Sequence, residues 1–165
     1  LEFSEVIRKR RSIRRYKETP VSKESIVKVL EAARLVPSAA NRQPWHFIVV
    51  QEEEMRHRLA GRQKWAAKAP AMIVGLADVG VSPSWCYNDL GISFEHLVLA
   101  AADLGLGTCW MGQTRRDTEI RKLLKIPENL KVIALTPLGV PDETPSPKER
   151  KSLGEIVSWE RYIGK

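Results

Sequence analysis

The stretch that most narrows what this chain can fold into is residues 85–104. Leu90, Phe94, Leu97, Val98, Ala101 and Leu104 recur there at helical spacing, and the second half is nearly apolar all round. A helix of that kind belongs inside a protein, so it is expected to be the central buried helix. Around it lie short apolar runs of strand type: 46–51 (HFIVVQ), 71–77 (AMIVGLA), 108–111 (TCWM) and 131–138 (KVIALTPL). Strands and helices do not alternate regularly. That argues against a doubly wound nucleotide fold and for a mixed α/β layer protein with helices against one sheet.

The remaining segments fill in around that frame. Phe3, Val6 and Ile7 share one face of a short first helix, expected to fail near Ser12 and Ile13. Thr19-Pro20 marks a turn, and Ser22 is placed to cap a second helix. The stripe of that helix is Ile26, Val27, Leu30, Ala33, Leu35 and Val36, and Pro37 closes it. Residues 37–44 (PSAANRQP) have no period and read as an ordered loop, 52–61 as a polar helix and 79–84 as a loop. Asp117 is a candidate cap for an amphipathic helix over 117–124. Residues 141–151 form a loop rich in proline, serine and charge, and 156–162 are expected as an edge strand or an arm reaching a partner.

The length fits a single domain, 1–165, and a chain 43% hydrophobic can build a core. Cys86 and Cys109 show neither CxxC spacing nor a disulfide framework. Both read as packed small hydrophobes of a cytoplasmic protein. The N-terminal region lacks the apolar segment of a signal peptide, and no run approaches the ~20 residues of a membrane span, so no membrane is expected.

Charge is distributed unevenly. Residues 8–17 (RKRRSIRRYK) hold seven of the 27 Lys and Arg and no acid, and without them basic and acidic residues balance at 20 each. One decapeptide thus carries the net charge of +7. A non-specific nucleic-acid binder usually spreads its charge over a face, because affinity grows with the number of phosphates neutralised. A nucleic-acid partner is therefore not expected.

Several familiar motifs fail. Gly105-Leu106-Gly107 opens like a dinucleotide fingerprint, but Trp110 stands where a third glycine must let helix and strand close together. The segment also leaves a helix to enter a strand, the reverse of the required order, and a helix C-cap at Gly105 accounts for it. There is no P-loop pattern. His46, His57 and His96 are far apart and outside any metal spacing, so no metal is expected. Trp45, Trp65, Trp85 and Trp110 lie near element ends, where tryptophans either pack the core or flank a planar ligand.

Two constellations remain. Arg10, Arg11, Ser12 and Arg14 sit at a helix end, where guanidinium forks and a hydroxyl can wrap one phosphate monoester. In residues 37–45 (PSAANRQPW), small side chains let backbone approach a flat ligand, and Asn41 and Gln43 offer amides. Together they suggest a ligand with a phosphate at one end and a polar heteroaromatic ring at the other.

At these residues the sequence resembles the FMN-dependent nitroreductase family. The matching pieces are RRSIR (10–14), PSAANRQPWHFIVV (37–50), the alanine-proline and strand at 69–75, and DLGISFEHLVLAAADLGLGTCWMG (89–112). IALTPLGVPDE (133–143) and RKSLGEIV (150–157) complete the set, in family order and over nearly the whole chain, at the length of a short member. The resemblance implies an α+β layered fold with a mostly antiparallel central sheet flanked by helices. It also implies an intertwined homodimer with two FMN sites at the interface. By the same resemblance, Arg10, Ser12 and Arg14, with Arg11 beside them, contact the FMN phosphate and ribityl chain. Ser38, Ala39, Ala40, Asn41 and Gln43 match the loop that the partner subunit lays against ring and tail. Cys109, Trp110, Met111 and Gly112 match the segment passing the flavin near N5. Lys148 and Arg150 match residues that return to the phosphate, and Gln63 and Lys64 match contacts to the pyrimidine edge. Residues 79–88 lie where the family varies and shape the substrate pocket.

The implied activity is an NAD(P)H-dependent FMN oxidoreductase. A nicotinamide delivers hydride to flavin N5 and leaves, and a nitroarene, quinone or similar electron-poor acceptor takes its place, a ping-pong cycle. No residue stands out as catalytic; Lys64 or Arg14 would stabilise negative charge on the reduced ring. Arg8, Lys9, Arg15 and Lys17 then read as a solvated face. The rival readings are a flavoprotein of different chemistry (dehalogenation, flavin breakdown or sensing) and a basic nucleic-acid-binding domain.

Overall fold

Residues Ala71–Asp78 form a strand buried on both faces, and the rest of the fold keeps it so. The protein is described here, over residues 2–163, by a computed structural model. In chain order the elements are α1 (Phe3–Lys9), α2 (Lys23–Arg34), β1 (Trp45–Val50), α3 (Glu53–Ala60), β2 (Ala71–Asp78) and α4 (Cys86–Asp103). There follow β3 (Gly107–Thr108), β4 (Met111–Gly112), α5 (Asp117–Leu124), β5 (Leu130–Gly139) and α6 (Leu153–Ile156). Short 3-10 turns stand at Ala39–Asn41, Lys64–Lys68 and Thr114–Arg116. The sheet order is β1-β2-β5-β3, with β4 pairing elsewhere on β5, and every strand pair is antiparallel.

Because side chains alternate along a strand, β2 feeds two cores. Ala71 and Ile73 pack among Val29 and Ala33 of α2 and Phe94 and Leu97 of α4. Met72, Val74 and Leu76 pack among Leu59 of α3, Ala66 and Ile120 of α5. The expected layered α/β arrangement is therefore present, with helices on both faces of the sheet.

The central helix expected from the sequence is α4, buried along Leu90, Phe94, Leu97, Val98 and Ala101. Phe94 lies against Gly75, where an added Cβ would stand 2.9 Å from the ring, so the missing side chain lets the helix sit close to the sheet. The helix ends in paired bonds, Gly105 N–H to Ala102 O at 3.1 Å and Leu106 N–H to Ala101 O at 2.8 Å. These form the Schellman geometry that turns the chain into β3. Ser93 Oγ donates to Ala33 O at 2.6 Å, fastening α4 to α2.

Other expectations are corrected. Ser22 caps α2 as expected, its Oγ accepting from Ser25 N–H at 3.1 Å, but the buried stripe is Ile26, Val29 and Ala33, with Val27 and Leu35 exposed. Helix α1 stops at Lys9, before Ser12, because the following residues pair with the sheet. The single strand expected at 108–111 is two short pieces. Pro137 of β5 has no N–H to continue the ladder, and Cys109 N–H goes instead to Thr136 Oγ1 at 3.0 Å. Asp117 does not cap α5: its carboxylate accepts from Val132 N–H at 2.7 Å and Arg121 Nε at 3.2 Å, fastening the helix to β5. Residues 156–162 form no strand; α6 ends at Ile156 and the chain runs on irregularly. Among the described residues no helix is long and apolar enough to cross a membrane.

Phe94→Ala removes a fully buried ring at the closest helix–sheet approach. It is expected to cost about 3–5 kcal/mol, measured as a lower urea midpoint with little change in slope.

Candidate functional site

The cationic segment builds the site because it is tied to the sheet edge. Beyond α1 it runs extended beside β3: Ser12 bridges Thr108, and Ile13 N–H donates to Thr108 O at 2.8 Å. The Ile13 side chain occupies the space over Gly107, where a Cβ would fall 2.8 Å away. Tyr16 bridges Pro141, and its hydroxyl donates to Ile13 O at 2.5 Å. Ile13 and Tyr16 are buried, which leaves the basic side chains between and around them directed outward.

Those side chains line a cleft of about 410 Å³. One wall carries Arg8, Arg10, Arg11, Ser12 and Arg14, and the other Pro145, Ser146, Pro147, Lys148 and Arg150. Six residues expected from the sequence thus meet: Arg10, Arg11, Ser12, Arg14, Lys148 and Arg150. Arg8, expected as solvated surface, lines the cleft as well, and its membership in the cationic run was the only signal for it. Among the described residues, no acidic one lines the cleft. Arg11 Nη1 donates to the carbonyls of Arg8 at 2.6 Å and Arg10 at 2.7 Å, placing a cation at the negative end of α1. Its Nε is buried and has no hydrogen-bond partner.

A second cleft, about 640 Å³, opens between the loop after α3 and the chain after β4. Gln63, Met111 and Gly112 line it, together with Arg62, Gln113 and Arg115, which sequence reasoning missed. Lys64 begins the turn that carries Trp65, and the Arg14 guanidinium lies 5.8 Å from the Trp65 ring centroid, linking that turn to the cationic segment. Trp110 lines neither cleft; its ring meets Phe94 edge-on at 4.8 Å and 66°.

Ser38, Ala39, Ala40, Asn41 and Gln43 also line neither cleft. Their loop hangs on α4, with Ala39 N–H donating to the buried Asp89 Oδ1 at 3.2 Å and Gln43 N–H to Ser38 Oγ at 2.9 Å. Ala40, Asn41 and Gln43 hold positive φ values of 51°, 53° and 49°, an uncommon backbone for non-glycine residues that the anchors maintain. Among the described residues no group of His, Cys, Asp and Glu is arranged to hold a metal.

Burial pushes the Tyr16 hydroxyl far above its ordinary range, reinforced by Cys109 and Glu143 nearby. Burial also pushes up the thiols of Cys86 and Cys109, the latter opposed by the Arg14 guanidinium and Ser12.

The most cationic cleft described lies at the edge of a helix-flanked antiparallel sheet, the frame of an α+β protein. The Nitroreductase family model matches residues 7–71 and 56–140 of the sequence. The chain belongs to the nitroreductase family. A relative from Archaeoglobus fulgidus, assigned as an NADH dehydrogenase/NAD(P)H nitroreductase, is 40% identical over 152 residues, covering 86% of this chain and 87% of the relative. Iodotyrosine deiodinase 1 of Rattus norvegicus is 29% identical over 195 residues, covering 94% of this chain and 68% of the relative. The solved structure of an FMN-dependent nitroreductase from Clostridium difficile R20291 superposes with a TM-score of 0.85 at 32% identity, covering 95% of this chain and 98% of that one.

Since both thiols are buried and held protonated, iodoacetamide at mildly alkaline pH should leave Cys86 and Cys109 unmodified in the folded protein and alkylate both in urea, as read by mass spectrometry.

Proposed function

We propose that this protein is an FMN-dependent oxidoreductase that takes reducing equivalents from NAD(P)H and passes them to electron-poor small molecules by ping-pong exchange. The observation that carries the reading is the first cleft, lined by six cationic side chains and two hydroxyls, with no acid among the described residues that line it. That donor set suits a phosphate dianion, and the orphaned Arg11 Nε is a buried donor that an anion's oxygen would satisfy. Family membership and the FMN-dependent nitroreductase neighbour support FMN as the phosphate's owner.

In this reading Arg10, Ser12 and Arg14 hold the phosphate from one wall and Lys148 and Arg150 from the other. Gln63, Met111 and Gly112, which line the second cleft, are assigned to the ring; Lys64 and Trp110 line neither cleft and are assigned there on the family resemblance alone. FMN bound there supplies the two-electron centre. The chain's own contribution is to fix the cofactor's orientation and, through Arg14 and Lys64, to stabilise negative charge on it.

The loop 38–43 reaches neither cleft of its own chain, which supports a homodimer in which a second copy delivers it. The same arrangement would cover the apolar tail, where Trp159 is 80% and Tyr162 87% exposed. Iodotyrosine deiodinases among the relatives make halogenated phenols a second acceptor class to test beside nitroarenes and quinones.

The test is the visible spectrum of the purified protein before and after anaerobic NADH and NADPH. Flavin bands that either nucleotide bleaches, and that an acceptor restores, are expected; a colourless protein that takes up no added FMN would sink the assignment. Arg14→Ala should weaken FMN binding by about tenfold to a hundredfold, the loss of one charge-assisted hydrogen bond, as measured by quenching of flavin fluorescence.

A further inference from the structure

The second wall of the cationic cleft has little to hold it. Residues 145–150 form no helix or strand, and among the described residues the hydrogen bonds of that stretch are internal: Arg150 Nη1 donates to Lys148 O at 3.3 Å and to Glu149 O at 3.1 Å. The connection between the walls lies immediately upstream. Asp142 N–H donates to Arg15 O at 3.0 Å, and Arg15 Nη2 returns a bond to Asp142 O at 3.0 Å. Beside them Glu143 Oε1 accepts from Arg14 N–H at 2.5 Å and from Arg15 N–H at 3.2 Å, while Oε2 lies 3.8 Å from Arg15 Nε.

The position of these two N–H groups explains why a carboxylate is needed. Ile13 N–H finds Thr108 O of β3, and Lys17 N–H finds Val140 O just past β5. Between those points the segment has left one strand and has not reached the next, so no carbonyl ladder serves Arg14 and Arg15. The Glu143 side chain, only 22% exposed, takes the place of the missing strand.

We propose that Glu143 is a positioning residue for the phosphate cleft. Its carboxylate fixes the backbone from which Ser12 and Arg14 project and holds the 145–150 wall opposite them. This rests on reading the cleft as the phosphate site. Simple electrostatics predicts the opposite effect: a carboxylate beside a cationic cleft repels an anion, so its removal should tighten phosphate binding. The clasp geometry predicts that removal weakens it, and the sign of the change separates the two.

The experiment titrates deflavinated full-length protein with FMN and with riboflavin, which lacks the phosphate, for the parent, Glu143→Ala, Glu143→Gln and Glu143→Asp. The parent is expected to prefer FMN. Glu143→Ala should lose about tenfold or more in FMN affinity with riboflavin affinity unchanged, the equivalent of one to two charge-assisted bonds. Glu143→Gln keeps an acceptor oxygen and should recover most of the loss. Glu143→Asp keeps the charge but withdraws the oxygens by one methylene, and should weaken FMN; it decides the matter if the alanine variant does not fold. FMN affinity unchanged or tighter in Glu143→Ala and Glu143→Asp overturns the proposal, as does equal weakening toward both ligands, which marks a general loss of structure. A parent that binds riboflavin as tightly as FMN overturns the phosphate reading itself, a different result from a parent that discriminates and variants that do not respond.

Discussion

One aromatic ring laid on a bare stretch of backbone sets the depth of the helical layer. With Phe94 over Gly75, α4 comes close enough to seal one face of β2, and both its ends are then committed. Near the start, Asp89 reaches the loop at 38–43; at the finish, the bonds at Gly105 and Leu106 drop the chain directly into β3. The same ring takes the edge of Trp110, between β3 and β4. Burial of a side chain of this size contributes about 2–3 kcal/mol in transfer energy alone, and its geometric consequence is larger.

The far edge of the sheet faces a different constraint. A strand left open at its edge offers unpaired N–H and C=O groups to any passing chain. Here residues 12–17 cover that edge, with Ile13 and Tyr16 turned inward and the basic residues left outside. A segment with seven cations in ten residues would repel itself if loose. Fixed to a sheet by backbone bonds, its charges are held apart, and four of the seven, Arg8, Arg10, Arg11 and Arg14, line the cleft. The acid that helps to fix it, Glu143, bonds backbone and lies outside the set of residues lining the cleft.

Much of this was legible in the sequence where a local rule has one outcome. The apolar period of α4, the Ser22 cap and the apolar runs of β1, β2 and β5 all found their places, and Arg10, Arg11, Ser12 and Arg14, grouped in the sequence, line one cleft. Lys148 and Arg150 came from family resemblance; nothing in their local sequence says that they face Ser12. The failures share a cause. The split between β3 and β4 depends on Pro137 in a strand that comes later in the chain, and the role of Asp117 depends on an N–H at Val132. Val27 and Val29 differ only in which faces the sheet, a choice that packing makes rather than composition. Glu143 looked like one more charge in a loop, since its meaning lies in two backbone groups at the opposite end of the sequence.

That separation bears on how the protein comes into being. Arg14 and Glu143 are 129 positions apart, and Arg15 and Asp142 are 127 apart, so the bonds beside the cleft close very long loops. Contacts so remote carry the entropic cost of closing the intervening chain, which the core must offset. During synthesis, the chain can carry α4 and most of its sheet while the wall bearing Lys148 and Arg150 does not yet exist. An anion that bound only the finished cleft would add stability only to finished molecules.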